Sequence, residues 1–181
     1  MSIEIRMALP SDFILISELG SKTFYDTWRP VNTEEDMQKY IKDAFNPLKI
    51  KMDIEASGIN TFMLAFFGKD AIGYVKLRCD RFYEEFKNEK ALELERIYVV
   101  KEWQDKKAGK ALMDQSLQFA KDNNYLWIWL GVNVDNIKAI DFYKRYDFTV
   151  FGEKSFKLGE AVDTDFLMKK KLVDSLINST I

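Results

Sequence analysis

The residues best suited to do chemistry lie in a basic turn within the stretch from Leu92 to Ala120. The segment LELERIYVV has the pattern of a strand, and ALMDQSLQFA has that of an amphipathic helix. The turn between them is rich in lysine, and Gly109 stands where the helix should begin. Backbone N–H groups converge at such a helix start, and the helix dipole adds partial positive charge. The turn therefore predicts an anion-binding site.

The residue types that are missing exclude several kinds of chemistry. The sequence has no histidine, which removes a histidine base, a Ser-His-Asp triad and histidine-ligated metals. Cys79 is the only cysteine, so an intrachain disulfide and a cysteine cluster for zinc are excluded, and no metal site is expected. Cys79 also has no histidine to activate it as a nucleophile. We therefore expect no covalent acyl-enzyme.

The composition is typical of a globular protein with no nucleic-acid partner. The chain has 181 residues, of which 47% are hydrophobic, enough to bury a core in one domain spanning 1–181. Its formal net charge of −2 gives no electrostatic reason to bind nucleic acid. No segment has the apolar length of a signal peptide or of a membrane span. We therefore expect a cytoplasmic protein without a membrane partner.

The elements that must position the basic turn alternate along the chain. Thr33, with Asp36 three residues later, is typical of a capped helix start, and Asn136 should cap a short helix. Apolar periodicity and turn signals predict strands at 3–8, 60–67, 71–79, 92–100, 125–132, 149–157 and 165–171, with helices at 13–25, 34–44, 48–56, 109–120 and 137–146. Gly159 should join the last two strands, and 80–90 should be a loop. This order predicts one α/β domain with a mixed, mostly antiparallel sheet.

Two motifs within this order resemble the GNAT superfamily of acetyl-CoA-dependent N-acetyltransferases. The superfamily signature Gln/Arg-x-x-Gly-x-Gly/Ala falls here on QDKKAG, from Gln104 to Gly109, with Lys107 in place of the first glycine. NIKAIDFY, from Asn136 to Tyr143, resembles the Asn-x-x-Ala-x-x-Phe-Tyr segment, which ends in a Gly-Phe pair; here Asp147 replaces that glycine. The resemblance implies the GNAT fold, with about seven strands and about four flanking helices.

The resemblance implies that acetyl-CoA is the cosubstrate. Its pyrophosphate would bind to the turn formed by Gln104, Asp105, Lys106, Lys107, Ala108, Gly109 and Lys110. Backbone N–H groups would donate to the phosphates and the lysines would add point charges, although a solvated helix start would explain the same lysines. We expect the turn to tolerate Lys107 only if its φ is negative.

The resemblance also implies roles for a strand edge and for the second motif. Ile97, Tyr98 and Val99 would pair through their main chain with the amides of the pantetheine arm, as an added strand would. Asn136 would hydrogen-bond the cofactor as well as cap its helix. Tyr143 would be the catalytic donor to the leaving thiolate. The alternative for Tyr143 is a tyrosine that only packs in its helix.

The acceptor amine needs a base, and the residues leave this assignment open. Glu93 and Glu95 lie on one face of the predicted strand, and Glu95, directly or through water, is the hypothesis. A carboxylate that only forms surface ion pairs is the alternative. Related enzymes often have a glutamate on the following strand, where this chain has Gly131.

A narrower resemblance favours a polyamine as the acceptor. The segments GYVKL, LERIYV and IWLGV, with Thr164 and Asp165, are similar to bacterial spermidine/spermine N-acetyltransferases. The carboxylates of Asp26, Glu34, Glu35 and Asp36 could line a polyamine channel or could only form a solvated helix start. We therefore predict an N-acetyltransferase that transfers acetyl to a primary amine, a polyamine, through a tetrahedral intermediate. The alternatives are another amine (a protein N-terminus, a lysine or an aminoglycoside) and a non-catalytic acyl-CoA-binding module. By analogy, a homodimer is expected.

Overall fold

The strands and helices follow one another along the chain in the predicted order. The computed structural model describes residues 2–56, 58–87, 89–158 and 161–172, without the side chains of 156–158 and 161. In this part the elements are β1 Ile3–Met7, α1 Phe13–Trp28, α2 Glu34–Ala44, α3 Pro47–Glu55, β2 Asn60–Phe67, β3 Asp70–Arg78, β4 Ala91–Val99, α4 Ala108–Asp122, β5 Trp127–Asn133, α5 Ile137–Lys144, β6 Thr149–Leu158 and β7 Ala161–Lys171.

The strands form one seven-stranded sheet in the order β1-β2-β3-β4-β5-β7-β6. Every neighbouring pair is antiparallel except β4 and β5, which are parallel. The α/β class and the mixed, mostly antiparallel sheet predicted from the sequence are therefore confirmed. Five α-helices flank the sheet in the described ranges, where about four were expected.

Two hydrophobic clusters cover the two faces of the sheet. On one face, α4 and α5 contribute Leu112, Met113 and Tyr143 to a cluster that includes Leu94 and Leu130 of the central strands. The helices α1, α2 and α3 build the second cluster on the opposite face. The predicted helix periodicity is thus explained, because each helix turns one apolar face to the sheet.

Helix starts follow the capping residues read from the sequence. The Thr33 hydroxyl accepts the Asp36 N–H at 3.2 Å and begins α2. The Asn136 side chain accepts the Ala139 N–H at 3.2 Å and begins α5. Both predicted caps are confirmed. Each satisfies a backbone donor that would otherwise lack a partner in the first helical turn.

Several boundaries differ from the predictions. The helix α1 continues to Trp28, whose ring lies 6.2 Å from that of Phe24 on the buried side. The strand β7 begins at Ala161, earlier than expected, because its pairing with β6 extends to Ala161 opposite Leu158. The predicted turn at Gly159 lies outside the described residues. In the 80–90 loop, Phe86 is buried against Trp129 in a third small cluster.

The position of the site depends on how β4 meets its two neighbours. Against β3, the register shifts so that Lys76 pairs with Arg96 but Leu77 pairs with Leu94, which leaves Glu95 as the extra residue of a β-bulge. Against β5, β4 pairs only at its first three residues, Ala91 to Glu93. In the described chain the two parallel strands diverge beyond that point. The second half of β4 therefore presents a free backbone edge inside the molecule.

Candidate active site

The free edge of β4 contains the residues predicted to contact the pantetheine arm. Ile97 and Val99 pack beside the cluster under α4, whereas Tyr98 packs beside the cluster under α1 to α3. Side-chain packing therefore fixes the strand from both faces. Its main-chain groups on the β5 side remain available in the gap between the strands. The pairing itself stays a prediction.

The basic turn corrects the expectation for Lys107. Its φ is 68° and its ψ is 3°, a left-handed conformation, and Asp105 also has a positive φ of 63°. The requirement for a negative φ is therefore wrong. The lysine adopts the backbone conformation that a glycine would reach without strain, at a cost of about 1–2 kcal/mol. Asp147, which also replaces a family glycine, has a φ of 62°.

The structure around the turn holds this backbone in place. The Trp103 carbonyl accepts the Lys106 N–H at 3.4 Å, and the Trp103 ring lies 4.5 Å from that of Phe67. On the other side, the Lys107 carbonyl accepts the Ala111 N–H at 2.9 Å. The left-handed residue is therefore fixed between a packed indole and the first turn of α4.

The start of α4 has the properties of an anion site. No side chain caps it, so its first backbone N–H groups, which have no intrahelical partner, stay available. Lys106 lies over the Trp103 ring at 5.3 Å, and Lys110 pairs with Asp114 at 2.5 Å. Among the described residues, Lys107 has neither an ion pair nor a ring contact. Lys107 is thus the lysine most available to a bound phosphate.

Gly109 connects the turn to the other predicted cofactor residues. A Cβ built on Gly109 would lie 3.9 Å from Val99 Cγ2 and 4.0 Å from Phe142 Cζ. The glycine therefore faces the space between the end of β4 and α5. Lys138 of α5 also bridges to Asp105 of the turn at 2.9 Å. The turn, the end of β4 and α5 therefore lie next to one another, as the predicted cofactor site requires.

The Gln104 side chain donates to the Val99 carbonyl, at 3.4 Å, so it ties the turn to the end of β4. Ala108, the first residue of α4, is buried in the core. Both residues were predicted to contact the cofactor. In the structure, each also holds the turn against the sheet.

Tyr143 lies on the buried face of α5, with 7% of its surface exposed. Its ring is 5.5 Å from that of Phe142 and 5.9 Å from that of Phe148. Burial, with a smaller contribution from Tyr98, raises the pKa of the Tyr143 phenol. The hydroxyl therefore stays protonated near neutral pH and can donate a hydrogen bond. Tyr143 belongs to the cluster on the α4 face of the sheet, and Tyr98 packs beside the cluster on the opposite face.

Glu95 lies in a cluster of cations. Its carboxylate accepts from the Lys76 ammonium and from Arg78, both at 3.1 Å. Burial raises the pKa of Glu95, but the charges of Lys76, Arg96 and Arg78 outweigh it, so the pKa lies below its ordinary value. Lys76 is itself buried and also donates to Asp53 at 2.7 Å. Glu95 therefore stays ionised, as both of its proposed roles require.

Glu93 has the opposite electrostatic environment. Burial and the charge of Glu95 raise the pKa of Glu93 above its ordinary value. Its Oε2 atom is buried and has no hydrogen-bond partner in the described chain; Arg81 approaches no closer than 3.6 Å. The pKa values of the two carboxylates on one face of β4 are thus shifted in opposite directions. The spacing of the residues in the sequence does not reveal this difference.

Arg96 was not singled out from the sequence. The bulge turns it to the same face as Glu95, whose Oε1 lies 3.7 Å from its Nε. It also donates to the Ala44 carbonyl at 3.3 Å and lies over the Phe45 ring at 4.7 Å. Arg96 thus connects β4 to the end of α2. An arginine directly before the apolar residues 97–100 of a predicted strand was the available signal.

Most of the acidic residues of α1 and α2 already have partners. Asp26 pairs with Lys22 at 2.6 Å, and Glu34 pairs with Arg29 at 2.7 Å. Asp36 accepts the Thr33 hydroxyl at 2.7 Å. These contacts agree with the interpretation of a solvated and capped helix start. The polyamine channel at these residues stays a prediction.

The divergent central strands and the uncapped start of α4 define the fold class of acetyl-CoA-dependent N-acetyltransferases. The chain belongs to the Acetyltransferase (GNAT) family, whose sequence pattern it matches over residues 21–148. It is therefore an N-acetyltransferase, and acetyl-CoA is its cosubstrate.

Three relatives span almost the whole chain. An uncharacterized N-acetyltransferase from Lactobacillus delbrueckii subsp. lactis is 37% identical over 90% of this chain and 91% of that protein. The spermidine N(1)-acetyltransferase of Thermoplasma acidophilum is 28% identical over 94% of this chain and 98% of that protein. The crystal structure of the PaiA N-acetyltransferase from Thermoplasma acidophilum, in complex with coenzyme A, superposes with a TM-score of 0.76 at 26% identity, covering 94% and 99% of the two chains.

No helix in the described ranges combines the length and the apolar character needed to cross a membrane.

Proposed function

We propose that this enzyme acetylates a primary amine of a polyamine such as spermidine or spermine. The observation that carries the proposal is the 28% identity to a spermidine N(1)-acetyltransferase along 94% of this chain. The likeness is not limited to the cofactor-binding half. It therefore includes the strands and helices that would contact the acceptor.

The arrangement of the turn, the end of β4 and α5 supports direct transfer. Acetyl-CoA supplies the acetyl group as an activated thioester, and the neutral amine attacks it to give a tetrahedral intermediate. Tyr143, protonated and buried, would donate its hydroxyl proton or a hydrogen bond to the leaving sulfur. The turn from Gln104 to Lys110 would hold the phosphates, and the main chain of 97–99 would orient the pantetheine arm.

A carboxylate of β4 would accept the proton that the amine loses. Glu95 is ionised but is surrounded by Lys76, Arg78 and Arg96, which weaken it as a base. Action through a water molecule fits this environment better than direct abstraction, because an ordered water can relay the proton from the amine to a carboxylate that the three cations surround. Glu93 is more basic but is more deeply buried. Glu95 therefore stays the proposed base.

A thiol-release assay with a panel of amines tests the proposed function. The panel contains spermidine, spermine, putrescine, propylamine, an aminoglycoside and a peptide with a free N-terminus. We expect the highest kcat/KM with spermidine or spermine. Turnover with another amine but not with the polyamines would contradict the choice of acceptor. Binding of acetyl-CoA by calorimetry without thiol release from any amine would instead indicate a non-catalytic module.

A further inference from the structure

A side-chain-sized space lies above Gly131 of β5. Gly131 interrupts a strand of large residues and is on the same face as Trp129 and Asn133. A Cβ built at this position would lie 2.9 Å from Lys154 Nζ and 3.4 Å from Asp165 Oδ2. The space left by the absent side chain is therefore filled by an ammonium group, with a carboxylate beside it.

Lys154 reaches this space from a distant strand. It lies on β6 opposite Asp165 of β7, and its side chain crosses β7 to reach β5. Its Nζ atom lies 3.9 Å from Asp165 Oδ2, beyond hydrogen-bond distance. The charge of Lys154 also acts on Glu93 of β4. The lysine ammonium is thus held loosely between carboxylates, with no short contact to fix it.

Asp165 lacks the partners that a desolvated carboxylate needs. Only 13% of its side chain is exposed, and it accepts no hydrogen bond within the part of the chain that the structure describes. Burial raises the pKa of Asp165, and the Lys154 charge opposes this rise only in part. A carboxylate in this state gains free energy when a cation with N–H donors approaches more closely than Lys154 does.

Gly131 lies on the part of β5 beyond Trp129 that no longer pairs with β4, so the space above it adjoins the gap between these strands. The charge of Asp165 is among the causes, after burial, that raise the pKa of the phenols of Tyr40 and Tyr98. Tyr40 belongs to α2 and Tyr98 to the free edge of β4. Aromatic faces beside a carboxylate favour an alkyl ammonium, because its charge and its methylene groups are both accommodated.

We propose that the space above Gly131 binds the non-reacting ammonium of a diamine or polyamine acceptor, with Asp165 as its counter-ion and Lys154 as the cation that occupies it in the free enzyme. The reacting nitrogen must be neutral, whereas the second nitrogen stays charged throughout. A counter-ion for it lowers the free energy of the bound acceptor without opposing the chemical step. This inference rests on the proposed polyamine acceptor and assigns its second contact point.

Opposite effects of two substitutions test the subsite. We expect Asp165→Asn to weaken spermidine binding to the CoA-saturated enzyme by about tenfold or more, with propylamine binding changed by less than about twofold. Lys154→Met keeps the aliphatic stem and removes the competing charge, so it should tighten spermidine binding. Lys154→Arg keeps the competing charge, so it should bind spermidine with the affinity of the wild type. Glu153→Gln, which removes an exposed carboxylate next to Lys154, is the matched control and should change neither amine.

Calorimetric titration of putrescine, spermidine and propylamine measures these affinities without turnover, and retained CoA binding shows that each variant is folded. If Asp165→Asn weakened the binding of propylamine and spermidine equally, the proposal of a subsite would be overturned. Unchanged spermidine affinity in this variant would overturn it too. Absence of amine binding to the wild type would overturn it as well. Failure of the proposed function is a separate result: wild-type enzyme would release no thiol with polyamines, whatever Asp165→Asn does to diamine binding.

Discussion

At the scale of single residues, Tyr143 is the group with the clearest catalytic chemistry. Its phenol is buried in the cluster that α4 and α5 form with the central strands, and its raised pKa keeps it protonated. We expect Tyr143→Phe to lower kcat by about 100-fold with little change in acetyl-CoA affinity. Tyr125→Phe, which alters a phenol at the start of β5, is the control and should retain wild-type turnover. Unchanged kcat in Tyr143→Phe would remove it from the catalytic role.

The pH dependence of activity distinguishes Glu93 from Glu95 as the base. The ordinary pKa of both is 4.5, that of Glu95 is lowered and that of Glu93 is raised. A base acts only when ionised, so the part of the pH profile that is due to Glu95 should lie below pH 4.5, apart from the part that is due to deprotonation of the acceptor amine. If Glu93 were the base, the fall in activity due to its protonation would begin above that pH.

Profiles of kcat/KM for Glu95→Gln and Glu93→Gln provide the measurement. Glu95→Gln should lose about 100-fold in kcat, and Glu93→Gln should keep most of it. A profile whose acid limb lies above pH 4.5 and disappears in Glu93→Gln would transfer the role to Glu93.

Lys107 combines a charge and a strained backbone, and two substitutions separate them. Lys107→Ala removes the charge and keeps the strain, whereas Lys107→Gly removes both. We expect both variants to bind acetyl-CoA more weakly, and Lys107→Gly to be more stable than Lys107→Ala by about 1 kcal/mol. Chemical denaturation and calorimetry measure the two quantities. Equal stability of the two variants would show that the left-handed conformation carries no strain.

At the scale of elements, the position and the contact of Cys79 argue against a thiol nucleophile. Cys79 follows the end of β3, two residues after Leu77, which pairs with Leu94 where the gap begins. Gly73 of β3, in contrast, pairs with Val99 at the end of the gap next to the basic turn. Six residues of strand separate Cys79 from Gly73 by about 20 Å. Cys79 Sγ instead lies 3.0 Å from the Gly58 carbonyl.

We therefore expect Cys79→Ala to retain full turnover in the thiol-release assay, with at most a small loss of thermal stability. Loss of all activity in a folded Cys79→Ala variant would contradict direct transfer. A trapped acetyl group on the wild-type chain, detected by intact mass, would contradict it independently.

Local signals were sufficient for most of the elements. The capping residues Thr33 and Asn136, and the two apolar runs of β2 and β3 joined by a glycine-containing turn, are local signals, so the sequence contains them directly. The bulge at Glu95 could not be predicted, because it depends on the register between two strands. The crossing of Lys154 over β7 to Gly131 depends on three strands at once.

At the scale of the whole molecule, the fold could likewise be predicted from the sequence, whereas the geometry of the site could not. The order of strands and helices, with the two motifs, was enough to predict the α/β class and the GNAT fold. Their placement next to one another was implied by that resemblance, since no spacing in the sequence measures the gap between β4 and β5. Lys107 shows where local reasoning failed. The packed surroundings of Trp103 and α4 hold a conformation that the residue type disfavours.

The divergence of β4 from β5 has a consequence for the stability of the protein without its cosubstrate. Unpaired strand edges are prone to self-association, and here the edge is continuous with the core. A pantetheine arm paired along 97–99 would act as a removable strand. Saturating CoA at about 100 times its Kd should therefore raise the free energy of unfolding by about 2.7 kcal/mol and suppress aggregation during storage. Thermal scans and light scattering with and without CoA measure both effects, and identical results in the two conditions would show that the edge is not a liability.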